Sequence, residues 1–108
     1  MTSDGSAYSR FRRALATGNF LLVRAAAADL PRVALRDALE VCLLLRDQEG
    51  ERFERAAVRW LGRFALEARG ATLESLQRAA AAFDTMPRQP DAAMEVLAGL
   101  CVRHGVDA

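Results

Sequence analysis

Glycines and prolines cut this chain into pieces of about one short helix each, at Gly18, Pro31, Gly50, Gly70, Pro87, Pro90 and Gly105. Between these breaks the apolar residues recur every three or four positions, the period of an amphipathic helix. No stretch alternates β-branched and aromatic residues with period two, so a sheet has no support. The expected fold class is therefore all-α: about six short antiparallel helices in three helical hairpins, closing into a compact bundle or stacking as a short α-solenoid-like array.

The first helix is expected from about Ser6 to Thr17, with Tyr8, Phe11 and Leu15 on one face and Gly18 as its stop. Asn19 then offers an N-cap to a second helix carrying Phe20, Val23, Ala27 and Leu30, which Pro31 ends. A third helix over about Val33–Arg46 has its stripe in Leu35, Ala38, Leu39, Cys42 and Leu45, and Val41, Leu43 and Leu44 widen that stripe almost all the way round. Gln48, Glu49 and Gly50 break the pattern. From about Glu51 to Ala68 the residues Phe53, Ala57, Trp60, Leu61, Phe64 and Ala68 give the clearest amphipathic stripe. Thr72 is the expected N-cap of a fifth helix carrying Leu73, Leu76, Ala80 and Phe83, and Pro90 with Asp91 opens a sixth that Gly105 ends. Gly18-Asn19-Phe20, the following alanines and Pro31 resemble the second helix of a tetratricopeptide-type hairpin. The stretch is about a turn too short and does not recur, so no family is assigned.

At 108 residues the chain has room for one core. Residues 6–105 are expected to form a single helical domain, with flexible ends at 1–5 and 106–108. Hydrophobic residues make up 52% and charged residues 27%, a balance that favours folding over disorder. All the basic residues are arginine and isoleucine is absent. With a net charge of +1, no global field draws the chain to nucleic acid or an anionic membrane. The apolar runs are too short to span a bilayer, and Thr2, Ser3 and Asp4 do not resemble a secretory signal, so a cytoplasmic location is expected.

Chemistry-bearing residues are sparse. His104 is the only histidine, and with Asp107 nearby its ordinary role is to satisfy the end of the last helix. Cys42 and Cys101 lie far apart in apolar helical surroundings, without metal-ligand spacing, and are expected to remain free. The glycines never gather into a phosphate-cradling loop. Neither a catalytic constellation, a metal site nor a cofactor is expected.

Two surfaces remain as candidates. On the fourth helix Arg52, Arg55, Arg59 and Arg63 are spaced by three, four and four, which puts them on one face, directed away from Phe53, Trp60 and Phe64. They form either a solvated face, with Glu51–Arg55 and Arg63–Glu67 pairs, or, joined by Arg10, Arg12 and Arg13, a surface for phosphates or an acidic protein. On the third helix Val41, Leu43 and Leu44 are either covered by neighbouring helices or left for a partner or a second copy of the chain. The expected function is a non-catalytic helical protein–protein interaction or adaptor module; the alternative is a nucleic-acid-associated protein using the arginine face, a partner class that is not favoured.

Overall fold

A computed structural model describes residues 4–48 and 50–107; Glu49 and the tail residues Met1, Thr2, Ser3 and Ala108 lie outside the described residues. The chain is all-α: α1 (Asp4–Thr17), α2 (Phe20–Ala27), α3 (Leu35–Leu45), α4 (Arg52–Glu67), α5 (Leu73–Thr85) and α6 (Pro90–Arg103), with no strand among the described residues.

The helix ends follow local chemistry. The Asn19 side chain accepts hydrogen bonds from the backbone N–H groups of Leu21 and Leu22, opening α2. At α5, Thr72 and Ser75 form a reciprocal capping box, which also satisfies the buried Ser75 hydroxyl. Pro90 occupies the first turn of α6, where a missing N–H costs nothing. At the far end of α6, Gly105 adopts φ +64°, which lets Gly105 N–H reach Val102 O and Val106 N–H reach Cys101 O at 2.9 Å. That closure turns Val106 into the core, where it is buried. Asp107, like Val106 within the expected end 106–108, accepts from Arg36 N–H through its carboxylate at 2.9 Å. α1 begins at Asp4, inside the 1–5 stretch expected as an end.

Sequential partners α1–α2, α3–α4 and α5–α6 pack most closely, and α3 lies at the centre, against α1, α2, α4 and α6. The result is a bundle around α3. Its main core combines Leu35, Leu39 and Cys42 of α3 with Trp60 and Phe64 of α4 and the inner faces of α5 and α6. Trp60 stacks on Phe64 at 5.2 Å between ring centroids and donates its indole N–H to Leu35 O at 2.8 Å. A second, smaller cluster of Phe11, Ala14 and Val23 sits under α1 and α2. The α1–α2 pair packs on the rest of the molecule through α3, and the backbones of its helices stay apart from that of α4.

Candidate functional site: an apolar groove between α2 and α4

Because α2 and α4 both pack on α3 but not on each other, a slot is left between them. Its floor is Val33 with Ala38, Val41 and Cys42 of α3. One wall is Phe20, Val23, Arg24 and Ala27 of α2; the other is Ala56, Arg59, Trp60 and Arg63 of α4. The cavity measures about 400 Å³, within the range of sites that hold a ligand or a partner's side chains. One end is narrowed by Arg52, whose guanidinium carbon lies 4.9 Å from the centroid of the Phe20 ring. Such a contact is worth about 0.5–1 kcal/mol at an exposed position.

The polar groups of this groove are strongly one-sided. Three arginines line it and no carboxylate does. Arg63 is tied to Glu67, at 2.8 Å from Nε to Oε2, and Glu67 also takes Arg32 at 2.7 Å. The hydrogen bond and charge of Arg63, with the charge of Arg32, hold the Glu67 carboxyl below the usual glutamate range. Arg24 and Arg59 are exposed, and among the described residues neither has a carboxylate within 4.0 Å.

The arginine face of α4 is thereby relocated. Trp60 and Phe64 turn inward as expected, but Arg52, Arg59 and Arg63 border the groove and look towards α2. Arg55 is exposed beside them, and the expected Glu51–Arg55 ion pair is not formed, whereas the Arg63–Glu67 pair is. The arginines of α1 do not join this face. Arg12 is a strut between helices, bonded to Asp37 at 3.1 Å and to both Glu40 oxygens at 2.5 and 3.3 Å. The hydrogen bond to Glu40 raises the Arg12 pKa further. Tyr8 donates to the same Asp37 at 3.2 Å, and burial followed by the Asp37 charge raises its phenol pKa. Arg10 lies 3.6 Å from Asp29, while Arg13 stays exposed.

Val41, Leu43 and Leu44 are half-buried. Val41 and Leu44 pack against the Phe11 cluster and Leu43 against the main core, so the surplus apolar side of α3 is largely what receives the α1–α2 pair. Only Val41 of the three also reaches the groove.

The isolated chemical candidates take structural positions. Nδ1 of His104 lies 2.7 Å from Arg69 O, and since a carbonyl only accepts, that nitrogen carries the proton. The His104 carbonyl accepts from Arg69 N–H in return, and the ring meets Phe64 edge to face, clasping the α4–α5 connection to the end of α6. Asp107 is engaged with Arg36 instead of His104. Both cysteines are free and buried; burial pushes the Cys42 thiol up to about 12 and Cys101 to about 11.

The α2 half of the groove was not legible as a site in the sequence. Its signal is the composition of α2 itself, Phe-Leu-Leu-Val-Arg-Ala-Ala-Ala, apolar on every side with one charge. Such a helix at the edge of a bundle leaves apolar surface uncovered, and Leu21 and Leu22 do stand in solvent. No helix is long and apolar enough to cross a membrane among the described residues. Compared with protein-family models, with curated proteins and with solved structures, the chain matches none.

Proposed function

We propose that this domain is a non-catalytic helical interaction module that holds a protein partner in the groove between α2 and α4. The observation that carries this reading is an apolar slot of about 400 Å³ whose arginines have no carboxylate beside them in the lining. Partner sites combine an apolar centre with a polar rim in this way, and arginine is enriched in them. The exposed Leu21 and Leu22 extend the apolar surface along the same edge helix.

The test fills the slot. Ala56 is half-buried on the α4 wall, and Ala56→Trp places an indole where a partner's side chain would enter. A purified partner that binds the unmodified chain and loses binding to an Ala56→Trp protein of unchanged melting temperature supports the reading. A partner that binds both equally removes the groove from it. Loss of nucleic-acid binding on Arg55→Glu, without a protein partner, would replace it with the nucleic-acid reading.

A further inference from the structure

We infer that the occupant of the groove is an acidic amphipathic helix of a partner protein, a narrower statement that rests on the docking reading above. Two observations lead to it. The first concerns the backbone. The groove is walled and floored almost entirely by helices, whose N–H and C=O groups are committed within themselves, and its side-chain polar groups are all guanidinium donors apart from the indole and thiol. The Trp60 indole is already spent on Leu35 O. An extended peptide laid here would find no strand edge with which to pair its own backbone, whereas a helix arrives with those bonds made. Two turns of a helix 10–12 Å across would overfill about 400 Å³. The partner therefore lies along the slot and inserts one ridge of side chains, over Ala38, Val41 and Ala56.

The second observation is charge. Arg24 stands on the α2 wall and Arg59 on the α4 wall, one on each side of the apolar floor, and neither is neutralised by a carboxylate among the described residues. Arg63 already has Glu67. A helix with an apolar ridge and glutamates or aspartates on both flanks supplies what Arg24 and Arg59 lack, with the fork geometry that favours arginine–carboxylate pairs. Like charge in those flanks would be repelled from both walls, which makes the pair of arginines a filter for partner sign.

Trp60 is the one tryptophan of the chain and lines the groove, so its emission reports occupancy, while binding to the Ala56→Trp protein, which carries a second tryptophan, is read by calorimetry. The probe is a synthetic tryptophan-free helical peptide with leucines on one ridge and glutamates on both flanks, compared with versions carrying glutamine or arginine in place of glutamate. The glutamate peptide is expected to bind about ten-fold more tightly than the glutamine peptide, from two rim ion pairs, and to lose that advantage at high salt. The double variant Arg24→Glu, Arg59→Glu should invert the order and take up the arginine peptide, a gain that misfolding cannot produce. Equal affinity for glutamate and glutamine peptides, both blocked by Ala56→Trp, would overturn the acidic partner and leave the groove as a docking site. Glutamate-peptide binding untouched by Ala56→Trp would overturn the docking site itself. Absence of binding by every peptide, or displacement of the glutamate peptide by dodecanoate at lower concentration, would overturn the inference in favour of another occupant.

Discussion

Phe11 is fully buried, yet it belongs to the small cluster under α1 and α2 and not to the main core. Truncating a buried phenylalanine to alanine costs about 3–5 kcal/mol. If the α1–α2 pair opens as its own unit, Phe11→Ala raises the opening constant of that unit by on the order of 100- to 4,000-fold, one decade per 1.4 kcal/mol. The informative control is Leu97→Ala, in the main core, with a cost of about 2–5 kcal/mol. It destabilises the globally unfolding body but not the local opening of a hairpin in which Leu97 has no part. Native-state hydrogen exchange resolves the two: Leu97→Ala should reduce protection in α4, α5 and α6 while the amides of α1 and α2 keep their rates, and Phe11→Ala should accelerate α1 and α2. Should Leu97→Ala accelerate α1 and α2 as much as α5 and α6, the two clusters form one cooperative core and the reasoning is refuted.

Three further outcomes follow from single contacts. Trp60→Phe deletes the indole bond to Leu35 O and leaves part of the indole volume empty, costing about 2 kcal/mol by urea unfolding followed by circular dichroism; a loss below about 0.5 kcal/mol would mean the bond contributes nothing. Glu67 has a lowered pKa, so its contribution to stability is fully present above the ordinary glutamate pKa, about 4.3, and is lost as pH falls through its lower folded-state value. Urea midpoints of the unmodified chain and Glu67→Gln should accordingly differ at pH 7 and converge in acid, and a constant difference would contradict the assignment. With thiol pKa values pushed up to about 12 and 11, Cys42 and Cys101 should resist iodoacetamide at pH 8 and react promptly in urea; rapid labelling of the native protein would show that burial does not protect them.

What the sequence reveals here depends on distance along the chain. Asn19, Thr72, Pro90 and Gly105 act within a turn of where they stand, and each marks a helix end as its local chemistry requires. Trp60 and Phe64 are legible for a similar reason, since helical period alone decides which face turns inward. Arg12 and Arg13 show where such reading stops. They are adjacent and identical, yet one is bonded to Asp37 and Glu40 of α3 while the other is exposed. That difference arises only when α1 docks on α3. The groove is of the same kind: no residue of α2 or α4 announces that the two helices sit on either side of α3, meeting only where Arg52 covers Phe20, because the gap is a property of three helices together.

Asp107 ties the start of the central helix to the end of the bundle. Ala34, at the N-cap position of α3, has no side-chain acceptor, and the N–H of Arg36 is satisfied instead by a carboxylate 71 positions later in the chain. That bond joins the first turn of α3 to the segment beyond α6, where Gly105 turns the chain and Val106 is seated in the core. A fragment ending before Val106 would lose this acceptor and leave the Arg36 N–H to solvent, so the first turn of α3 should fray more than in the full chain.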